Sequence, residues 1–367
     1  MIESGCRVSI ITVSRNSVTT IEQTIRSVLY QSYKNIEYII IDGDSTDGTQ
    51  RVIEKYKDSL AYYVSEQDDG LYYAMNKGIN RATGDIIGII NSDDWYADNI
   101  IEDVVNFFEK NDVELLYGKI ICVSEDNKKT EDQRAPLENI WYQMPLAHPS
   151  VFVKKSVYAK FGAFNVNYRV TSDYELMLRL YVKNTKFKFI DKVCAYFRLG
   201  GLSSTHVKER QEEIYKISMA YIDKCPNKDI VLPKIEEIYK SALFTDMVSN
   251  NKSAFYNLLS DRFLANVNNI IIFGTGIWGE RCCKALEETE VTVSYFVDND
   301  QKRWNTEFLG IKVIEPKELK NMAAYVLIAV KEYGREIEKQ LSDMNNKVLK
   351  YICIDELANC VNIRETD

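Results

Sequence analysis

The chain has 367 residues, of which 46% are hydrophobic, 27% charged and 11% aromatic. That length fits two or three domains of roughly 100–200 residues each. With 16 glycines and 6 prolines, a collagen-like or low-complexity protein is excluded. The formal net charge of −8 argues against a protein that mainly binds nucleic acid, because such binding needs a basic surface.

The cysteines and histidines give no metal signature. Eight cysteines and two histidines occur without a Cys-x-x-Cys pair, so a structural zinc site is not expected and the cysteines resemble buried thiols of a reducing cytosol. The N-terminus has no signal-peptide pattern, and no apolar run reaches the ~18–20 residues of a membrane-spanning helix. We expect a cytoplasmic protein, whose contact with the inner face of the cell membrane would be peripheral.

The first ~120 residues alternate between strand and helix periodicity. Apolar, β-branched runs predict four strands, and apolar residues at helical spacing predict helices between them. The strands are expected at 8–13, 36–41, 60–64 and 86–90, and the helices at 21–29, 52–56 and 72–80. This alternation favours an α/β fold with a mostly parallel sheet covered on both faces. Ligands bind beyond the carboxyl ends of such strands, so polar residues there should converge.

The rest of the chain divides into three further stretches. Strands are expected at 113–123, a polar turn or hairpin at 124–134 and a helix at 173–182. A helical connector follows, broken at 225–227 and at Pro233. Alternation of strand and helix then resumes near residue 268. We therefore predict a first domain at 1–206, a helical connector at 207–266 and a smaller α/β domain at 267–367.

Acidic turns follow the second, third and fourth predicted strands, at 42–49, 65–70 and 91–94. Carboxylates at a strand end can hold Mg²⁺ or Mn²⁺ against a pyrophosphate, although Asn and Asp also form turns and helix caps there. Asp42 could accept a hydrogen bond from a base N–H group. Lys77, in the following predicted helix, could meet a phosphate as a point charge.

These motifs resemble those of the family 2 glycosyltransferases, which have the GT-A fold. The resemblance covers about residues 6–205 and keeps the family's order and spacing. The runs that carry it are Val8–Asn16, Ile41–Thr49, Ser65–Gly70, Ala74–Ile79 and Asn91–Asp94. It implies an inverting transferase that moves a sugar from a nucleotide-sugar donor, with UDP as the first nucleotide to consider, to a saccharide or lipid-linked acceptor.

The resemblance also assigns roles to residues on the donor side. Thr12, Arg15 and Asp42 would line the base and ribose pocket, with Asp68 and Lys77 beside it. Asn91, Ser92 and Asp93 stand where the family has its Asp-x-Asp motif. Because Asn91 replaces the first aspartate, Asp93 becomes the main expected ligand for Mg²⁺ or Mn²⁺, and Asp94 is expected to contact sugar hydroxyls.

On the acceptor side, the resemblance places a catalytic base before a helix, where Asp173 stands. A carboxylate there can take the proton of the attacking hydroxyl. The alternative is that Asp173 only caps the helix, with Glu175 as the substitute base. His148 is expected on the acceptor side, and the 200–204 loop with His206 could close over the donor.

The C-terminal domain carries a second motif. Gly274, Gly276 and Gly279 follow a predicted strand, and Asp298 ends the next strand about 20 residues later, which is the layout of a dinucleotide site. The segment is similar to small Rossmann-like domains that accompany bacterial sugar-modifying enzymes. Its alternative role is that of a docking or homo-oligomerisation module without a ligand.

Two other functions compete with sugar transfer. The first is an NAD-dependent oxidoreductase or epimerase acting on nucleotide sugars through the C-terminal motif, although a Tyr-x-x-x-Lys pair is missing from a suitable place. The second is an inactive sugar-binding scaffold, against which the presence of Asp42, Asp93 and Asp173 argues.

Overall fold

The computed structural model describes residues 5–132, 135–201, 206–264 and 267–363. The chain folds into two compact units, Met1–Leu232 and Pro233–Asp367. Each unit is built around its own β-sheet with helices packed on it. The predicted α/β fold class is confirmed, while the predicted boundaries at residues 206 and 266 stay a prediction.

Among the described residues, the first unit contains a nine-stranded sheet in the order β3-β2-β1-β4-β8-β6-β9-β5, with β7 paired to β6. Its strands are β1 (Val8–Ser14), β2 (Ile36–Asp42), β3 (Tyr62–Ser65), β4 (Ile86–Asn91), β5 (Trp95–Tyr96), β6 (Leu115–Val123), β7 (Lys129–Glu131), β8 (Phe152–Lys154) and β9 (Phe187–Arg198). Its helices are α1 (Ile21–Leu29), α2 (Thr49–Glu54), α3 (Leu71–Arg81), α4 (Ile100–Lys110), α5 (Lys155–Phe161), α6 (Ser172–Val182) and α7 (Val207–Tyr221).

Strands β3, β2, β1 and β4 are parallel, as the alternating pattern predicts. Strands β1 and β2 are almost entirely buried and rich in Val and Ile, as expected of strands that are covered on both faces. The other half of the sheet is mixed: β8 runs antiparallel to β4 and β6, whereas β9 runs parallel to β6. The carboxyl ends of β1, β2 and β4 therefore meet at one edge.

The second unit has a six-stranded sheet in the order β12-β13-β11-β10-β14-β15. Its strands are β10 (Asn269–Phe273), β11 (Thr292–Val297), β12 (Glu307–Phe308), β13 (Ile311–Ile314), β14 (Tyr325–Ile328) and β15 (Lys350–Cys353). Its helices include α9 (Lys252–Leu259), α10 (Ile277–Leu286), α11 (Gly334–Asp343) and α12 (Ile354–Asn359). The sheet is parallel except for the β12–β13 pair.

The prediction of a helix break at Pro233 is wrong. Pro233 lies inside α8 (Lys228–Asn250). Proline removes one main-chain hydrogen bond, and here the missing N–H would have bonded to the carbonyl group four residues earlier, in the first turn. Because the loss is confined to the start of a 23-residue helix, the helix continues through it.

In the described part of the chain, no helix is both long and apolar enough to cross a bilayer.

Candidate functional site

A cavity of about 230 Å³ lies in the first unit, beside the carboxyl end of β4. Six of its lining residues carry the chemistry: Tyr72, Asn91, Asp93, His148, Asp173 and Arg210. They come from α3, the end of β4, the turn at 148–150, the first turn of α6, and α7. Four of the predicted site residues, Asn91, Asp93, His148 and Asp173, thus share one cavity.

Asn91 and Asp93 present oxygen atoms on one side of this cavity. Within the described ranges, Asn91 Oδ1 is buried and has no hydrogen-bond partner. Burial raises the pKa of the Asp93 carboxyl, although its own backbone and the nearby Arg198 act in the opposite direction. An unpartnered amide oxygen and a desolvated carboxylate together favour the approach of a cation.

Asp173, in the first turn of α6, lines the same cavity. Its Oδ1 atom lies 3.1 Å from the Tyr72 hydroxyl, which also lies 3.0 Å from the carbonyl oxygen of Val170. Burial, followed by the charge of Asp173, raises the pKa of Tyr72 well above its usual value. Tyr72 therefore stays protonated and can donate to the carboxylate.

His148 lines the cavity and lies close enough to Asp173 to be influenced by its charge. Burial lowers the pKa of the imidazole, while the charge of Asp173 opposes that shift. The ring of His148 packs against Phe164, with 5.7 Å between the ring centroids. The imidazole is therefore neutral at pH 7 and adds no positive charge beside the carboxylate.

The loop before α6 is held by a residue that the sequence analysis did not single out. Glu213 of α7 accepts hydrogen bonds from the backbone N–H groups of Arg169, Val170 and Thr171 at 2.6, 3.0 and 2.8 Å. It also accepts one from the Thr171 hydroxyl at 2.8 Å. This carboxylate fixes the segment that leads directly into Asp173.

Asp42 is not among the residues that line the cavity, and it joins the carboxyl ends of β1, β2 and β3. Its carboxylate accepts hydrogen bonds from the hydroxyl groups of Ser14, Ser45 and Ser65 at 2.8, 2.5 and 2.6 Å. It also accepts the Ser45 N–H at 3.0 Å. Asp42 is fully buried, so a nucleotide base would have to share this carboxylate with the serines.

Hydrogen bonds tie the neighbouring loops together at the same edge. Ser17 donates its N–H to Thr49 Oγ1 at 2.7 Å, and its hydroxyl lies 2.7 Å from the hydroxyl of Ser92. The N–H of Asn16 donates to Ser45 Oγ at 2.8 Å. The loops after β1 and β2 and the turn after β4 therefore converge.

The remaining predicted donor-side residues lie outside the cavity. Thr12 is fully buried, with its hydroxyl 3.0 Å from the Tyr38 hydroxyl. Arg15 is exposed at the edge of the loop. Asp94 is buried, accepts the Arg198 N–H at 2.9 Å, and has its pKa raised well above the usual value by burial and by Asp93.

Lys77 is held in an ion-pair cluster. Its Nζ lies 2.6 Å from Asp68 Oδ1 and 2.6 Å from Glu66 Oε1. Hydrogen bonds to Asp68 and Glu66 raise the pKa of the lysine. Lys77 therefore stays charged, but its ammonium group is neutralised by two carboxylates rather than directed into the cavity.

Glu175, the alternative base, is held by other side chains. It is buried, pairs with Arg179 at 3.0 Å and accepts a hydrogen bond from the Tyr221 hydroxyl at 2.8 Å. Its carboxylate is therefore already occupied. Residues 202–205 of the predicted lid lie outside the described residues, whereas Gly201 lines the cavity.

Nothing in the motifs pointed to Tyr72, Arg210 or Glu213, because only the packing of α3 and α7 brings them here.

Known proteins resemble this chain in both sequence and fold. The family model Glycosyl transferase family 2 matches residues 9–174, and the model C2185-like, N-terminal matches residues 266–352. The Escherichia coli enzyme WfaP, a UDP-Glc:alpha-D-GlcNAc-diphosphoundecaprenol beta-1,3-glucosyltransferase, is 32% identical over 216 residues, which are 57% of this chain and 85% of the relative.

Two solved structures share the fold at low identity. TarS of S. aureus in complex with UDP-GlcNAc has a TM-score of 0.51 at 17% identity, covering 76% of this chain and 79% of that one. In the longer TarS structure, the match spans 45% of that chain. A mannosyltransferase from Pyrobaculum calidifontis in complex with GDP-Man and Mn²⁺ has a TM-score of 0.51 at 18% identity, covering 71% of this chain and 80% of that one.

Proposed function

The chain belongs to glycosyl transferase family 2, and from that premise we propose an inverting transfer from a UDP-sugar to a lipid-linked saccharide. One observation carries the proposal. Asp93 and Asp173, which are 80 positions apart in sequence, line the same cavity from the turn after β4 and the start of α6. A donor-side and an acceptor-side carboxylate are what such a transfer needs.

The donor nucleotide is assigned to the loops after β1 and β2. The hydrogen bonds between Ser14, Asp42 and Ser45 give these loops a fixed shape, and Arg15 stands exposed at their edge. Thr12 and Asp42 are both fully buried, in the strands that lead into these loops. The UDP-GlcNAc and GDP-Man complexes of the structural relatives support a nucleotide-sugar donor.

A divalent cation, Mg²⁺ or Mn²⁺, fits the oxygen atoms of Asn91 and Asp93. Within the described residues, no group of three or more His, Cys, Asp or Glu side chains could hold a metal ion. A cation here would take its other ligands from water and the donor phosphates, as Mg²⁺ commonly does. When bound, it offsets negative charge on the leaving diphosphate. Arg210, which lines the same cavity, adds a positive charge from the protein.

Asp173 acts as the base. The acceptor hydroxyl oxygen forms a bond to the anomeric carbon while the bond from that carbon to the diphosphate breaks, and the hydroxyl proton passes to the Asp173 carboxylate. Tyr72 orients that carboxylate through the 3.1 Å contact. The neutral His148 beside it leaves the negative charge of the base intact.

The name of the relative WfaP supports a lipid-diphosphate-linked acceptor. Undecaprenol is a membrane lipid, so we place the enzyme at the inner face of the cell membrane, in contact with the bilayer surface. The product would then be an intermediate of a surface polysaccharide or a glycolipid.

Replacing the base tests the proposal directly. We expect Asp173→Asn to lower kcat for transfer by at least about 10³-fold, because the amide cannot accept the proton. The Kd for the donor should stay within about twofold. Transfer is measured with UDP-Glc and UDP-GlcNAc, and donor binding by calorimetry. Asp98→Asn, at an exposed carboxylate, is the matched control. Near-normal turnover by Asp173→Asn would refute the base assignment.

A further inference from the structure

The second unit has a cavity of about 1020 Å³ that the proposed transfer does not use. It lies at the carboxyl end of β10, the strand that pairs with β11 on one side and β14 on the other. The order of the parallel strands reverses at β10. Open α/β sheets bind ligands in the crevice at such a reversal, and a cavity of this volume is large enough for a nucleotide.

The glycine-rich turn lines this cavity, and its three glycines are not all required by the fold. Gly274 has a φ of +111°, and a Cβ there would lie 2.6 Å from Val330. A Cβ on Gly279 would lie 2.0 Å from the carbonyl oxygen of Gly274. The fold itself therefore requires these two glycines.

Gly276 is different, because the fold does not require it. A Cβ at this position would meet no atom within 4 Å, and its φ of −90° is open to any residue. Gly276 is exposed and lines the cavity. The backbone is thus bare at the point where a side chain would fill the cavity, which leaves room for a ligand to touch the main chain.

Two cations line the walls beside this turn. Lys331 Nζ lies 4.4 Å from the centroid of the Trp278 ring and 3.1 Å from Ser241 Oγ. Arg303 donates through Nη1 to the carbonyl oxygen and the hydroxyl of Thr275, at 2.8 and 2.6 Å. Both positive charges are held next to the bare backbone, where they can meet phosphate oxygens.

The cavity also contains acceptors and an apolar rim. Asp298 Oδ2 accepts the Thr275 N–H at 2.9 Å, whereas Oδ1 accepts the Asp300 N–H at 2.9 Å and can take a further donor such as a ribose hydroxyl. The carboxylates of Asp300, Glu332 and Glu336 also line the cavity. Their negative charge disfavours a ligand that is only an anion and favours one that also presents hydroxyl and N–H groups.

The rim offers a surface for a ring. Ile277 and Tyr333 are 68% and 58% exposed, and both line the cavity. A planar base can stack on a tyrosine ring, and Ile277 adds apolar surface to the same cavity.

We propose that this cavity binds a nucleoside diphosphate, with its phosphates between Gly276, Lys331 and Arg303 and its ribose at Asp298. The ligand is either a free or sugar-bearing nucleoside diphosphate or the same unit within a dinucleotide. The site is separate from the transferase cavity of the first unit and does not depend on the function proposed for it.

The test titrates the full-length protein calorimetrically with UDP, ADP, NAD⁺ and inorganic pyrophosphate. We expect at least one nucleotide to bind to a site that Gly276→Asp weakens tenfold or more, because the new carboxylate occupies the phosphate position. Lys331→Met should weaken the same site. Asn345→Asp adds the same charge at an exposed turn of this unit and should leave binding unchanged. Tighter binding of NAD⁺ than of UDP and ADP would identify a dinucleotide, and the reverse a nucleoside diphosphate.

The variants also separate this site from the transferase site. Binding that survives Asp93→Asn but is lost in Gly276→Asp, with sugar transfer by Gly276→Asp unchanged, supports the proposal. It is overturned if none of the nucleotides binds, if all binding survives both Gly276→Asp and Lys331→Met, or if pyrophosphate binds as tightly as the nucleotides. A loss of transfer in Asp173→Asn has no bearing on it.

Discussion

At the scale of single residues, Asp173 Oδ1 accepts hydrogen bonds from the Tyr72 hydroxyl and from the Tyr174 N–H. The tyrosine hydroxyl, 3.1 Å from the carboxylate, is buried and keeps its proton. Tyr73, the next residue, is 39% exposed, so the two neighbours differ in environment but not in chemistry. Replacing each tyrosine by phenylalanine therefore compares the loss of a buried hydroxyl that contacts Asp173 with the loss of an exposed one.

We expect Tyr72→Phe to lower kcat by about 10- to 150-fold, since a hydrogen bond to a charged group contributes about 1.5–3 kcal/mol. The KM for the donor should stay within about twofold, because Tyr72 is assigned to the acceptor side. Steady-state kinetics measure both, with Tyr73→Phe as the control. An increase in donor KM with an unchanged kcat would place Tyr72 on the donor side instead.

Asp93 is the second residue whose role can be isolated. We expect Asp93→Asn to abolish the stimulation of donor binding by Mn²⁺ and to lower transfer at least about 100-fold, because a neutral amide holds a hard cation weakly. Donor titrations with Mn²⁺ and with a chelator measure the effect, and Asp98→Asn is again the control. Full activity of the unmodified protein in chelator would refute the assigned cation.

At the scale of elements, one buried carboxylate holds the opposite end of the sheet. Glu37 of β2 accepts hydrogen bonds from the hydroxyls of Ser9 and Thr83 at 2.5 and 2.7 Å and from the Thr83 N–H at 2.6 Å, and pairs with Arg7 at 3.4 Å. Burial acts to raise the pKa of Glu37, but these hydrogen bonds and Arg7 hold it below its usual value.

A lowered pKa in the folded state contributes stability above the unfolded pKa of about 4.3 and loses it as the pH falls. We therefore expect Glu37→Gln to lower the free energy of unfolding by about 1–3 kcal/mol at pH 7, and by less at pH 4. Urea denaturation at both pH values measures this, with Glu54→Gln at an exposed position as the control. An equal loss at both pH values would contradict the electrostatic account.

Local patterns predicted most elements because they depend on local spacing. The parallel strands β1 to β4 and the hairpin of β6 and β7 are confirmed. The pattern did not show that the short strand β8 would insert between β4 and β6 in the antiparallel direction. Three residues carry too little periodicity to reveal a strand.

At the scale of the whole molecule, each of the two compact units has its own hydrophobic core. Ile40 in β2 and Leu327 in β14 are both fully buried. We expect calorimetry to show two unfolding transitions, because separate cores unfold as separate cooperative units.

Substitutions in the two cores assign the transitions. Ile40→Ala should lower the free energy of unfolding of the first unit, and Leu327→Ala that of the second, each by about 2–5 kcal/mol. Each variant should therefore shift only one of the two transitions to lower temperature. Surface substitutions Asp98→Asn and Asn345→Asp serve as controls, one in each unit. A single transition that both core variants lower together would show that the units unfold as one.

The sequence by itself determined the α/β class, the parallel strands, the acidic turns at their ends and the glycine-rich turn, because each follows from spacing, β-branching or backbone conformation within a few residues. Only the tertiary structure decided which of those charges share a cavity. Lys77, Asp68 and Asp42 became engaged with neighbouring side chains, whereas Tyr72 and Arg210 joined Asp93 and Asp173. Contacts between residues so far apart in the chain depend on how α3, α6 and α7 pack, and no local pattern encodes that packing.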